Sequence, residues 1–123
     1  MEATNLPLEQ IQPAAGEACA LLKTLSHPDR LLILCRLAHG EARVGELEEG
    51  LGIMQPTLSQ QLTVLRAEDL VTTRRQGKNI YYSLASPKAL AVLESLYLQF
   101  CCGVLGPAKG RARPRAGRRG TAG

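Results

Sequence analysis

At 123 residues the chain is long enough for one domain with a buried core. Aromatic residues make up only 3%, which argues against single-strand nucleic-acid binding by base stacking. No apolar run is longer than that from Leu31 to Cys35, which is far too short to cross a membrane. The net charge of +4 is uneven: six of the fifteen basic residues lie in residues 109–119, and eleven acids outnumber the other nine, so residues 1–108 carry −2.

The N-terminus, MEATNLPLEQ, lacks the basic and then apolar segments of a signal peptide. We therefore expect a cytoplasmic protein, whose four cysteines stay reduced unless they serve redox chemistry. No Ser/His/Asp or Cys/His set and no Gly-rich phosphate loop is visible, so we do not expect an enzyme. We expect no cofactor either.

The first part of the chain predicts two helices after a flexible N-terminus over residues 1–12. The first helix is expected from Pro13 to Leu25, with an apolar stripe. Ser26 is the expected N-cap of the second helix, with Pro28 in its first turn. The second helix, Asp29–Ala38, is apolar nearly all round, which predicts burial at the centre of the domain.

The stretch Val44 to Leu65 predicts a helix-turn-helix. Its first helix is expected at Val44–Leu51, Gly52 lies in the turn, and the second helix is expected from Gln55 to about Asp69 with Pro56 in its first turn. The shared apolar face consists of Leu47, Leu51, Ile53, Leu58, Leu62 and Leu65. Short polar side chains that can donate and accept hydrogen bonds to base edges form the outward face: Gln55, Thr57, Ser59, Gln60 and Gln61.

The segment VTTRRQGKNIYYSL, Val71 to Leu84, predicts a two-stranded hairpin. Arg74, Arg75 and Lys78 near its tip are suited to phosphate contact. A last helix is expected from Ser86-Pro87 to about Cys102, and its wide apolar surface suggests a dimer interface or a cover for the core. The tail GPAKGRARPRAGRRGTAG has a disordered, basic composition. The predicted division is therefore a flexible N-terminus (1–12), a DNA-binding and dimerisation domain (13–105) and a disordered basic tail (106–123).

The fold class that follows is mainly α-helical with a β-hairpin wing, in the order helix, helix, helix-turn-helix, hairpin, helix. The segments LLKTLSHPDRLLIL, VGELEEGLGIMQPTLSQQLTVLRAEDLV and RRQGKNIYYSL closely resemble the ArsR/SmtB family of homodimeric bacterial winged helix-turn-helix repressors, over about Ala18 to Cys101. The resemblance implies binding to double-stranded operator DNA at the bacterial nucleoid. It places Gln55, Thr57, Ser59 and Gln60 in the major groove and the wing at Arg74, Arg75 and Lys78. Most members have His where this chain has Gln61, which affects the operator sequence.

Members of this family release DNA when an inducer binds. Two common metal sites cannot be built, since the third helix has no cysteine and the last helix has no His or Asp. His27 and His39 are interpreted as helix-end residues. The contexts ILC and QFC around Cys35 and Cys101 resemble the SqrR/BigR-type branch of persulfide sensors. That resemblance implies that reactive sulfur species link the pair through a di- or polysulfide and weaken operator binding.

Alternatives remain open. Cys101 and Cys102, with a third thiol, would suit arsenite or another soft metal ion, and vicinal cysteines near this position occur as arsenic ligands in some members of the family. The basic tail would also suit a non-sensing architectural DNA binder. Cys19 is interpreted as a small apolar residue.

Overall fold

The structure, a computed structural model, describes residues 6–102, with the side chains of residues 6–101. The chain divides into two compact units, Met1–Ser86 and Pro87–Gly123. The first unit contains four helices and a three-stranded sheet, and the described part of the second is helical throughout. The elements are α1 (Leu8–Leu25), α2 (Pro28–Leu37), β1 (Ala42–Arg43), α3 (Val44–Leu51), α4 (Thr57–Ala67), β2 (Val71–Gln76), β3 (Asn79–Leu84), α5 (Pro87–Tyr97) and a π-helical turn (Leu98–Cys102).

Helix α1 begins at Leu8, so the predicted start at Pro13 is wrong. Pro7 is its N-cap, and the Pro7 carbonyl accepts hydrogen bonds from the backbone N–H groups of Gln10 and Ile11, at 3.0 and 3.1 Å. The helix therefore has a complete turn before Pro13, which lies inside it and removes one N–H donor. The predicted disordered tail, residues 106–123, lies outside the described residues.

The junction between α1 and α2 differs by one residue from the prediction. His27, rather than Ser26, is the N-cap of α2, and its Nδ1 accepts a hydrogen bond from the backbone N–H of Asp29 at 3.2 Å. The Ser26 hydroxyl donates backwards to the Lys23 carbonyl at 2.7 Å. Because imidazole nitrogen can cap a helix as a side-chain oxygen does, the interpretation of His27 as a junction residue agrees with this geometry.

Helix α2 is buried on one side only, against the prediction of burial all round. Ile33, Leu34 and Leu37 are buried, whereas Leu32 is 47% exposed and Cys35 is also exposed. Within the first unit α2 contacts α1, α3, α4 and β3. An apolar surface on all sides of a helix predicts burial only where partners surround it, and within the first unit they lie on one side.

The helix-turn-helix has the predicted first helix, α3, and ends it at Gly52, which adopts a left-handed conformation (φ 72°) that glycine accepts without strain. The second helix, α4, is shorter than predicted at both ends. Pro56 is its N-cap instead of a first-turn residue, and Asp69 lies beyond the helix with φ 61°. The largest fully buried side chains come from α2, α3 and α4: Ile33, Leu34, Leu47, Leu58, Leu62 and Leu65.

The predicted hairpin is confirmed as β2 and β3, joined by a two-residue turn in which Gly77 has φ 64°. The short strand β1 was not predicted. It pairs antiparallel with β3, Ala42 with Tyr82 and Arg43 with Tyr81, so the sheet has the order β1-β3-β2. Two residues between a turn and a helix give no periodic signal, and only the pairing with β3 makes them a strand.

The second unit begins with α5 at Pro87, as predicted, but the α-helix ends at Tyr97 and a π-helical turn continues to Cys102. Within α5, Ala89 and Leu93 are buried. The element order confirms a mainly α-helical fold with a β-hairpin wing. Among the helices of residues 6–102, none has the length and apolar character needed to span a membrane.

Candidate DNA-binding surface and exposed thiols

The N-terminal half of α4 presents the predicted reading residues to different degrees. The side chains of Gln55, Ser59 and Gln60 are exposed, and those of Thr57 and Gln61 are half-buried. Gln55 precedes the helix, because α4 begins after Pro56. The exposed part of this surface is therefore Gln55, Ser59 and Gln60, which we name the reading face.

Gln55 and Ser59 are bonded to each other. The side-chain oxygen of Gln55 accepts hydrogen bonds from both the backbone N–H and the hydroxyl of Ser59, the former at 3.1 Å. The first turn of a helix has backbone N–H groups without helical partners, and the Gln55 side chain satisfies one of them. With both lone pairs of that oxygen used, the two amide protons of Gln55 are what it offers to a base edge.

Gln61 faces the protein as well as the solvent. Its side-chain oxygen accepts a hydrogen bond from Nη1 of Arg30 at 3.2 Å, and Nε of Arg30 donates to the backbone carbonyl of Thr24 at 2.9 Å. Arg30 thus connects the C-terminal end of α1 with α4. The sequence singled out Gln61 for its polarity, but it gave no sign of the partner 31 residues earlier.

The wing carries three basic residues in two different situations. Arg75 and Lys78 are exposed, and among the described residues neither has an ion pair or a side-chain hydrogen bond. Arg74 instead forms an ion pair with Glu41 and donates from Nη1 to the side-chain oxygen of Gln76 at 2.9 Å. Glu41 is a residue that the sequence did not indicate, because it lies 33 positions from its partner.

The ion pair affects the titration of both partners. Hydrogen bonding from Arg74 lowers the pKa of the Glu41 carboxyl below its usual 4.5, and the positive charge of Arg74 adds to this. The same hydrogen bond raises the pKa of Arg74. Both groups are therefore charged at neutral pH.

The thiols of Cys19, Cys35 and Cys101 are all exposed. Cys35 lies on α2 in the first unit, and Cys101 lies in the π-helical turn of the second. The side chain of Cys102 lies outside the described ones. Among the side chains that are described, no group of three His, Cys, Asp or Glu is close enough together to hold a metal ion.

Comparison with known proteins agrees with this architecture. Residues 27–73 match the family model described as bacterial regulatory protein, arsR family. The chain is 54% identical over 97 residues to the biofilm growth-associated repressor of Agrobacterium fabrum, covering 79% of this chain and 83% of that protein.

Solved structures of bacterial proteins share the fold, among them BigR and HlyU. The crystal structure of the transcriptional repressor BigR from Xylella fastidiosa has a TM-score of 0.76 and 51% identity, and the match covers 78% of this chain and 98% of that one. Reduced HlyU from Vibrio cholerae has a TM-score of 0.70 and 36% identity, covering 76% of this chain and 98% of the other. The chain therefore belongs to the arsR family of bacterial regulatory proteins, which are DNA-binding transcriptional regulators with a winged helix-turn-helix.

Proposed function

We propose that this protein is a transcriptional repressor that binds operator DNA as a homodimer in the bacterial cytoplasm and releases it when reactive sulfur oxidises Cys35 and Cys101. The observation that carries the proposal is the exposure of both thiols in a chain 54% identical to a biofilm growth-associated repressor. Thiols must be accessible to react with a dissolved oxidant.

DNA reading is assigned to α4 and the wing. The reading face (Gln55, Ser59 and Gln60) supplies hydrogen-bonding groups for the major groove, with Thr57 and Gln61 at its margin. Arg75 and Lys78 supply charge for phosphates. In a two-fold symmetric dimer the two α4 helices would read half-sites about 10 base pairs apart, which predicts a palindromic operator.

Dimerisation is supported by apolar side chains that remain exposed in the single chain. In the first unit the α1 residues Leu8, Ile11 and Leu22 are between 44% and 70% exposed. In the second unit Tyr97 and Phe100 are 58% and 81% exposed. Such surfaces on a monomer mark interaction sites, and a second copy of the chain is the occupant that we propose.

The sensing chemistry is a two-step oxidation by a polysulfide. In the first step, one thiolate attacks a sulfane sulfur, takes one sulfur atom as a persulfide and releases the polysulfide shortened by that atom. In the second, the other thiolate attacks the inner sulfur of this persulfide, so that a disulfide forms and hydrogen sulfide leaves. If both cysteines carry persulfides, the same reaction gives a trisulfide and one hydrogen sulfide. HlyU, a relative of known structure, is described in its reduced form.

The test combines operator binding with mass spectrometry. Purified protein and its genomic operator, located by footprinting, are treated in turn with sodium tetrasulfide, hydrogen peroxide and arsenite, and binding is followed by fluorescence anisotropy. Tetrasulfide should release the operator and yield a peptide pair linking Cys35 and Cys101. Replacing either one by Ser should abolish release, whereas Cys19→Ser, at another exposed thiol, should leave it unchanged.

The alternatives give different outcomes in the same assay. Release by arsenite that is lost in Cys102→Ser would assign the site to Cys101 and Cys102, which are adjacent in the sequence, and would overturn the sulfur proposal. DNA binding that none of the three reagents changes, and that is lost when residues 106–123 are removed, would indicate an architectural DNA binder. If the protein without residues 106–123 still protects a palindromic DNA site in footprinting, sequence specificity belongs to the winged domain.

A further inference from the structure

The wing contains an arginine, Arg74, whose guanidinium is bonded to other groups of the same chain. Nε of Arg74 donates to Oε2 of Glu41 at 2.9 Å and its Nη2 donates to Oε1 of the same carboxylate. The third nitrogen, Nη1, donates to Gln76 at 2.9 Å. The guanidinium also lies over the ring of Tyr81, with its carbon 4.6 Å from the ring centroid. Every nitrogen of Arg74 is therefore engaged, and one face of the group is covered.

This arrangement joins three segments of the first unit. Glu41 immediately precedes β1, Arg74 and Gln76 belong to β2, and Tyr81 belongs to β3. The two-pronged contact between a guanidinium and a carboxylate fixes orientation as well as distance, which a single charge contact does not. Exposed single ion pairs contribute little, but here one guanidinium holds a carboxylate, an amide and an aromatic ring at once.

Arg75, the next residue along β2, forms no ion pair within residues 6–102, in contrast to Arg74. Side chains alternate along a strand, so Arg75 lies on the other face of β2, opposite Ile80 in the register. Its charge and that of Lys78 in the turn are not compensated by any ion pair within residues 6–102. Neighbouring arginines in one strand thus differ in what they can offer to DNA.

We propose that Arg74 is a positioning residue, which holds the wing to the segment before β1 through Glu41, and that phosphate contact falls to Arg75 and Lys78. The inference rests on the proposed operator binding. It assigns to Glu41, an acid bonded to the wing from the segment before β1, a favourable role in DNA binding. A simple charge argument would give that acid an unfavourable one.

The test exchanges the two charges. Glu41→Ala and Arg74→Ala should each weaken operator binding by about two- to fivefold, the range that exposed ion pairs provide. The double exchange Glu41→Arg/Arg74→Glu restores the pair in reverse and should recover most of the affinity relative to Arg74→Glu alone. If Arg74 contacts a phosphate, the exchanged protein places a carboxylate there and should bind no better than Arg74→Glu, which would overturn the proposal.

A second variant covers the case in which the exchange does not fold. Arg74→Lys keeps the charge but not the planar fork. It should behave like Arg74→Ala if the residue positions the wing and like the wild type if it serves as a phosphate charge. The salt dependence provides the matched control: Arg75→Ala should reduce the slope of log affinity against log salt by about 0.9 per contact, and Arg74→Ala should leave that slope nearly unchanged. An equal loss of slope in both variants would contradict the inference.

A readout without DNA separates this inference from the proposed function. Amide hydrogen exchange of β2 and β3 should be about two- to fivefold faster in Glu41→Ala and Arg74→Ala, and unchanged in Arg75→Ala. If wild-type protein binds no operator but exchange changes in this way, the proposed function fails and the positioning role stands. If the wild-type protein binds the operator but the amide hydrogen exchange of β2 and β3 is identical in all variants, the positioning role of Arg74 fails.

Discussion

Arg30 of α2 donates a hydrogen bond to the side-chain oxygen of Gln61 on α4 at 3.2 Å, and its Nε donates to the backbone carbonyl of Thr24 near the end of α1 at 2.9 Å. One side chain therefore joins three helices. Cys35 lies five residues further along the same helix, α2. A shift of α2 would therefore act directly, through Arg30, on the helix that we propose to read DNA.

We expect Arg30→Ala to lower the free energy of unfolding by about 1–3 kcal/mol, because it removes a charged donor from two acceptors. Gln61→Ala removes one of these bonds and should cost about 0.5–1.5 kcal/mol. Urea unfolding of both single variants and the double variant gives the coupling energy. Arg66→Ala, at an exposed arginine of α4, is the matched control and should stay within about 0.5 kcal/mol. Strict additivity of the first two changes would mean that the bond contributes nothing in solution.

A second stability prediction concerns Gln55, whose side chain caps the first turn of α4 through Ser59. Gln55→Ala should destabilise the protein by about 0.5–2 kcal/mol, as loss of an N-terminal cap does. Gln60→Ala is the same change at an exposed position of the same helix and should have an effect within about 0.5 kcal/mol. Thermal unfolding followed by circular dichroism measures both. Equal midpoints for the two variants would show that the cap is not formed.

The elements that the sequence predicted well are those with a local signal. The apolar spacing of α3 and α4 and the turn at Gly52 were correct, as were the two strands of the wing. Strand β1 and the pairs Arg30–Gln61 and Glu41–Arg74 were missed. Each of these is defined by contact between residues about 30 or more positions apart, and no periodic pattern encodes such a contact. The start of α1 was wrong because a proline was interpreted as a boundary, although the turn before it was already satisfied.

Self-association should depend on exposed apolar side chains that belong to segments outside the helix-turn-helix. Ile11→Glu in α1 and Phe100→Glu in the second unit each put a charge on an exposed apolar surface, and burying that charge on dimerisation is costly. We expect each to raise the dimer dissociation constant at least tenfold in sedimentation equilibrium. Met54→Glu, at a 64% exposed side chain near the start of α4, should leave the dimer intact and weaken operator binding. A dimer equally weakened by all three changes would place the interface elsewhere.

The ion pair between Glu41 and Arg74 should give stability a defined dependence on pH. The pKa of Glu41 is lowered from 4.5 in the folded chain, mainly by the hydrogen bond from Arg74. A lowered pKa contributes stability that is fully present above the unfolded value and is lost as the pH falls through the folded one. The difference in unfolding free energy between wild type and Glu41→Gln should therefore be largest near about pH 7 and shrink as the pH falls below 4.5. In an Arg74→Ala background the same difference should depend much less on pH, with the remainder due to the hydrogen bond from Ser83. Urea unfolding at a series of pH values tests this, and a pH dependence that persists undiminished without Arg74 would show that another group lowers the pKa of Glu41.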